Sequence, residues 1–168
     1  SKMKAPQQRR LGERFAAWAV ERYGALDAAY KAWEGDRAEG DDPAAGVLGF
    51  HHIYEATREL AGGRAVRVND QVRFFTETMR RFNVETARYL REELGCRQLI
   101  AAENWRTADA ARLGDLERYA YTACDVIAKN HYFAGAHTGR QVSSRVFAGD
   151  LFTSRSVLTE PWAFPLNT

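Results

Sequence analysis

One order of elements, a helix followed by a short apolar run and then by polar and aromatic residues, occurs twice and constrains the fold more than any single residue. An amphipathic helix is predicted over 69–94, Gly95 ends it, and Gln98, Leu99, Ile100, Ala101 and Ala102 lead to Glu103, Asn104 and Trp105. A second helix is predicted over 107–122, followed by Asp125, Val126, Ile127 and Ala128 and then by Asn130, His131, Tyr132 and Phe133. Short apolar runs that follow helices read as buried parallel strands, and parallel sheets meet ligands beyond the carboxyl ends of their strands. The expected fold class is α/β, helix-rich, with two parallel strands.

With 168 residues the chain is long enough for one hydrophobic core. It is short of the roughly 250 residues of a closed eight-stranded βα barrel. Either it is a small helix-rich α/β domain or a segment of something larger. Ser1 in place of an initiator methionine, and the irregular run 160–168 with Pro161 and Pro165, lead to the expectation that both ends are cut ends.

The remaining elements are mostly helical. Leu11, Phe15, Trp18 and Ala19 recur at helical spacing in a helix predicted over 7–23, with Gly24 as its C-terminal cap, and a shorter helix is predicted over 26–33. The glycine- and aspartate-rich stretch 34–42, closed by Pro43, reads as a surface excursion, and a weak helix is expected over 50–60 before Gly62 and Gly63. In the long helix, Asn69 is the expected cap, and Val72, Phe75, Met79, Phe82, Thr86, Tyr89 and Leu90 form the stripe that would cover a sheet. Beyond Phe133 no periodicity is convincing, and a loop of that length is usually functional or incomplete.

A net charge of +2 with 45% hydrophobic and 27% charged residues argues against disorder and against a strongly basic nucleic-acid surface. No apolar stretch approaches the roughly 18–20 residues of a membrane span. The expected partners therefore include neither nucleic acid nor a membrane. Cys96 and Cys124 precede the two predicted strands and read as reduced, buried thiols. His51, His52, His131 and His137 lack carboxylates at ligand spacing, so no metal is expected. No glycine-rich phosphate loop is present, and no cofactor is expected.

The chemistry-bearing residues lie at the two predicted strand ends. Glu103, Asn104 and Trp105 beside Asn130 and Tyr132 would offer acceptors, amide donors, an indole face and a phenol. Such a set suits a polyhydroxylated ligand whose ring has an apolar face. A second reading stands beside it, in which Trp105 caps the core and Glu103 pairs with a neighbour such as Arg106.

The run Phe15, Trp18, Tyr23, Gly24, Leu26, Ala32, Trp33 resembles the pattern that follows the fourth strand in (β/α)8-barrel glycoside hydrolases of the two-glutamate clan, the β-galactosidase-like enzymes in particular. Leu94, Gly95, Leu99, Ile100, Asn104 to Asp109, Leu116 to Tyr119, Cys124 to Val126, Tyr132 and Phe133 resemble the fifth and sixth strands of the same enzymes. The likeness covers roughly residues 7–133. It implies a partial (β/α)8 (TIM) barrel segment of a single domain, with helices and loop after strand four over 1–68, two helix–strand units over 69–133, and a long loop over 134–168.

By the same resemblance the parent is a glycoside hydrolase, and this segment is inactive by itself. The family's acid/base glutamate ends strand four and its nucleophile ends strand seven, about 5 Å apart for retention. Neither matches a residue of this chain, so no catalytic residue is expected here. The likeness implies that Tyr132 orients the nucleophile, and that Glu103, Asn104, Trp105, Asn130 and Tyr132 bind substrate. Asn130 stands where the family commonly has histidine. The implied partners are a carbohydrate and the remainder of the barrel or another copy of the chain. The competing reading is a self-contained, helix-rich binding module without catalysis.

Overall fold

The computed structural model describes residues 3–103 and 109–128. Their elements are four α-helices, α1 (Ala5–Tyr23), α2 (Leu26–Ala32), α3 (Gly62–Glu92) and α4 (Ala110–Tyr121), with 3-10 turns at Pro43–Ala45 and Ile53–Thr57. The chain divides into two units, Ser1–Thr78 and Met79–Thr168.

In the first unit, α1 begins with Pro6, whose missing N–H costs nothing in a first helical turn. It ends at Gly24, whose φ of +85° lets its N–H reach the Val20 carbonyl at 2.7 Å. Phe15, Ala16 and Ala19 of α1, Ala29 and Trp33 at α2, Leu48 and Phe74 of α3 form the buried core. Phe15 sits among aromatic rings, with centroids 5.1 Å from Phe74, 5.2 Å from Phe50 and 6.0 Å from Trp33. Rings at these separations gain about 0.5–1.5 kcal/mol per pair beyond the area they bury.

Backbone glycines set how closely the pieces approach. A Cβ on Gly63 would lie 1.8 Å from the Trp33 carbonyl oxygen, and one on Gly49 would lie 2.0 Å from that of Glu39. The Gly12 carbonyl of α1 accepts the Leu48 N–H at 3.2 Å, and a Cβ on Gly12 would stand 2.6 Å from the Leu48 oxygen. Bare backbone is therefore what lets the loop lie on α1.

That loop differs in part from its expectation. Residues 34–42 are mostly exposed, as a surface excursion is, but Ala38 and the Asp41 side chain are buried and an Asp42–Val47 antiparallel bridge closes the stretch. The weak helix expected over 50–60 is reduced to the 3-10 turn Ile53–Thr57. α3 starts at Gly62, so Asn69 is an exposed residue inside the helix and not its cap. The capping role passes to Glu34, whose Oε2 accepts the Gly63 N–H at 2.9 Å, and a carboxylate there is favoured by the helix dipole.

In the second unit, α3 ends through Gly95, with φ +64°, and the Cys96 N–H returns to the Leu90 carbonyl at 2.9 Å. Asp109 precedes α4 and its Oδ1 accepts the Arg112 N–H at 3.0 Å, in the manner of an N-cap. The last turn of α4 is held by α3. Arg80 donates to the Tyr119 carbonyl at 2.7 Å and to Thr122 Oγ1 at 2.9 Å, and Asn83 donates to the Ala120 carbonyl at 3.1 Å.

The expected α/β class, a partial barrel segment with two parallel strands, is overturned. The described residues are helical, and none of them belongs to a strand or sheet; the two apolar runs make a single isolated parallel bridge, Ala101 to Val126. The physical reason lies in burial and hydrogen bonding. Leu99 is 75% exposed and Val126 38%, whereas a parallel strand is covered on both faces. The Ile100 carbonyl accepts both the Asp125 and the Val126 N–H, and the Ile100 N–H goes to the Asp125 side chain, so the pairing is closed locally. Four or five apolar residues cannot by themselves distinguish a strand from an extended link.

The α3 stripe is corrected with it. Met79, Phe82 and Tyr89 are exposed, Val72, Phe75, Thr86 and Leu90 are half-buried with Phe75 against the core, and the buried side chains are Arg67, Val68, Asp70, Gln71, Phe74 and Asn83.

Candidate functional site

Of the five residues expected to bind substrate, Glu103 is described. Asn104, Trp105, Asn130 and Tyr132 lie outside the described residues, as do the serines and histidines beyond Ala128. No sheet edge is formed among the described residues, which removes that basis for their grouping. The site around Glu103 is instead built by a helix and an extended link.

α4 presents Glu117 and Tyr121 one turn apart, a spacing that puts both on one helical face. The Tyr121 side chain is buried, and its hydroxyl donates toward Glu103 Oε2 at 3.2 Å and toward Glu117 Oε1 at 3.3 Å. Burial, followed by the fields of Glu117 and Glu103, pushes the Tyr121 phenol well above the ordinary tyrosine range. It therefore keeps its proton and acts as a donor. Glu103 itself is exposed and faces water.

The link that carries Glu103 is fixed from below by Asp125. Its Oδ2 accepts the Ile100 N–H at 2.8 Å and pairs with Arg91, which also donates to the Cys96 and Gln98 carbonyls at 2.7 Å. One cation at the end of α3 thus gathers the chain on both sides of the bridge. Cys96 and Cys124 are free, as expected of reduced thiols, and partly buried. Burial, then the Asp125 charge, pushes the Cys124 thiol upward, which keeps it from acting as a thiolate near neutrality.

Tyr121, Glu117 and Asp125 were not among the expected site residues. The tyrosine reads from sequence as an edge residue of its helix. The Glu117–Tyr121 interval was the available signal, since an acidic and a phenolic group at that spacing share a face.

The first unit holds a denser set of ionisable groups, and nearly all are turned toward one another. Asp41 accepts from Arg67 at 2.6 and 2.8 Å, from Gly49 N–H at 2.7 Å, from Tyr30 Oη at 2.8 Å and from Ala38 N–H at 3.1 Å. The Arg67 guanidinium lies 4.8 Å from the Trp33 ring centre, completing a cation–π contact. Asp70 accepts from Tyr23 at 2.6 Å and Trp33 Nε1 at 2.8 Å, and Glu77 accepts from Trp18 Nε1 at 2.7 Å.

His51 Nε2 stands 2.5 Å from Asp36, which also pairs with Arg64 at 2.7 Å, while Gln71 holds the His51 backbone N–H and carbonyl, both at 2.9 Å. A histidine oriented by a carboxylate is half of a nucleophile-activating arrangement. The histidine meets Asp36 at its ring and Gln71 of α3 at its backbone, and Asp36 is tied in turn to Arg64 of α3. The pair therefore latches the loop to α3. His52 turns away to accept from Tyr54 N–H, and no group of three or more metal-ligating side chains occurs among the described residues. No described helix is long and apolar enough to cross a membrane.

Comparison with known protein families, with curated proteins and with solved structures finds no match to this chain.

Proposed function

We propose that this chain is part of a glycoside hydrolase, to which it contributes carbohydrate-contacting residues around Glu103 while the catalytic glutamates lie outside its 168 residues. One observation carries the reading. The exposed Glu103 carboxylate lies two residues beyond the Ala101–Val126 bridge and accepts from the buried Tyr121 hydroxyl at 3.2 Å. The sequence motifs over 94–133 that resemble glycoside hydrolases add to it. In this role Glu103 is an exposed acceptor for sugar hydroxyls.

The test uses the full chain with chromogenic β-glucosides, β-galactosides and β-mannosides and with the matching oligosaccharides in ligand-observed NMR. Saturation transfer to at least one oligosaccharide, weakened by Glu103→Gln and without turnover of any glycoside, is the expected result. Absence of transfer to every sugar overturns the reading. Turnover abolished by Glu103→Gln overturns the assignment of catalysis to residues outside the chain.

A second reading, a helix-rich interaction module without catalysis, draws on the first unit. There Asp36, Asp41, Asp70 and Glu77 are all bound to groups of the same unit. Charges satisfied within their own unit act on its folding and offer nothing to a substrate. Failure of every sugar in the assay above, with a cooperative monomeric thermal transition, selects it.

A further inference from the structure

We infer that the apolar stripe on the second half of α3 is a docking surface for a segment of this same chain, residues 140–158; the inference is independent of the carbohydrate reading. Phe75, Met79, Phe82, Thr86 and Tyr89 follow one another at alternating intervals of four and three residues, which keeps them on one helical face. Phe75 packs against the core. The continuation of the stripe in the second unit is uncovered, with Met79 42%, Phe82 61% and Tyr89 54% exposed. α4 meets α3 elsewhere, through Arg80 and Asn83, on another side of the helix. A row of large apolar side chains left facing water marks a surface that something covers.

The course of the chain, its composition and its charge name the occupant. The described chain reaches Ala128, three residues beyond Asp125, and the Asp125 carboxylate pairs with Arg91 in the last turn of α3. The continuation therefore departs beside the helix that carries the stripe. From Arg91 back to Met79 is about 18 Å along a helix, a distance that about six residues of extended chain cross. Residues 129–139 are thus long enough to bring residue 140 to either end of the stripe. Beyond them, Val142, Val146, Phe147, Leu151 and Phe152 supply large apolar side chains, and Arg140, Arg145 and Arg155 outnumber the one acid, Asp150. The charges nearest the stripe have the opposite sign: the exposed Glu85 and Glu92 border one edge and Glu93 stands at its end, while Arg81 and Arg88 lie one position farther round. An acidic border suits a basic segment. A second copy docking by the same stripe would bring acid to acid.

Two measurements on the full chain test the inference. Hydroxyl-radical footprinting of the wild type compares like with like: by exposure alone Met79 should react about as fast as Met3, 50% exposed, and Tyr89 about as fast as Tyr54, 58% exposed. Docking of 140–158 is expected to slow Met79 and Tyr89 severalfold against those two. Equal rates overturn the inference.

The second measurement identifies what covers the stripe. With Phe82 replaced by the photo-reactive p-benzoylphenylalanine, irradiation is expected to yield a product of monomer mobility on a denaturing gel, with the cross-link mapped by peptide sequencing to residues 140–158. A cross-linked dimer, a cross-link to another part of the chain, or no cross-link overturns the inference. Should the labelled chain not fold, the footprint decides, because it needs no substitution.

Discussion

Replacing Asp41 by Asn changes its charge and almost nothing of its shape, and the structure sets the cost. Arg67 is completely buried, and its four Nη hydrogens go to the Asp36 carbonyl, to both Asp41 oxygens and to the Gly49 carbonyl. Asp41→Asn leaves that guanidinium without an anion. It also places an NH2 group among donors, since Tyr30, Ala38, Gly49 and Arg67 all point hydrogens at the same two atoms. Removing one partner of a buried ion pair typically costs about 3–5 kcal/mol. The same change at an exposed pair such as Arg9–Glu13 is worth less than about 1 kcal/mol. Set against a usual total of about 5–15 kcal/mol, the Asp41 effect is large.

Urea unfolding at pH 7, with hydrogen exchange to localise the change to the loop and α3, measures it. Asp41→Asn combined with Arg67→Met should lie closer to wild type than Asp41→Asn alone, because the stranded cation is gone. Acid adds a signature. Burial pushes the Asp41 carboxyl up, but Arg67, the N–H groups of Gly49 and Ala38, and Tyr30 outweigh it and hold it below the ordinary carboxylate range. A folded value below the unfolded value of about 3.9 means that the stability is fully present above that pH and is lost as pH falls through the folded value. Asp36 and Glu77, also lowered, add to the same slope, so Asp41→Asn should flatten it without abolishing it. A loss under about 1 kcal/mol at pH 7, with an unchanged acid slope, would refute the reasoning.

Two further substitutions test the packing. Gly63→Ala puts a methyl group 1.8 Å from the Trp33 carbonyl oxygen, which only backbone movement can relieve, so it should cost about 1–3 kcal/mol or more in a urea melt; a neutral result contradicts the close approach. Leu99→Ser should alter stability by no more than about 0.5 kcal/mol, because the side chain is mostly in water; a loss of several kcal/mol would restore the buried strand.

The helices were legible where one physical cause dominated. α1 and α2 follow from apolar spacing and Gly24, and the structure departs from the expected bounds by two residues at most. α3 was read too short at its start because Gly62 and Gly63 look like breakers. What they supply is room, Gly63 against the Trp33 carbonyl, and the cap that replaces Asn69 comes from Glu34, far away in sequence. Its buried face was missed for a related reason. Arg67, Asp70 and Gln71 count as polar in any periodicity argument, and their partners lie in a loop whose aspartates read as solvated. The strands failed because a short apolar run contains no information about whether anything covers it. At the candidate site, Glu103 was legible as an acceptor, whereas Tyr121 was placed at an edge because its burial depends on where the 100–103 link passes.

The aromatic residues that carry the family likeness have a physical task in this fold, and it bears on how much the likeness can say. Trp18, Tyr23 and Trp33 each pack a ring against the core or its margin, and each directs its one polar hydrogen at a carboxylate of α3, Glu77 for the first and Asp70 for the other two. Apolar bodies with a single polar tip suit this place, because the ring enters the core while the N–H or O–H meets an acid at its edge. Arg22 adds a positive charge 3.2 Å from Asp70, between the rings of Trp18 and Tyr23. The spacing of that pattern is therefore demanded by three helices clasping one another, whatever chemistry the protein performs. It testifies to a scaffold. Evidence of carbohydrate chemistry has to come from the second unit, where Glu103 meets solvent beside the Tyr121 phenol, and the sugar-binding experiment bears on that unit.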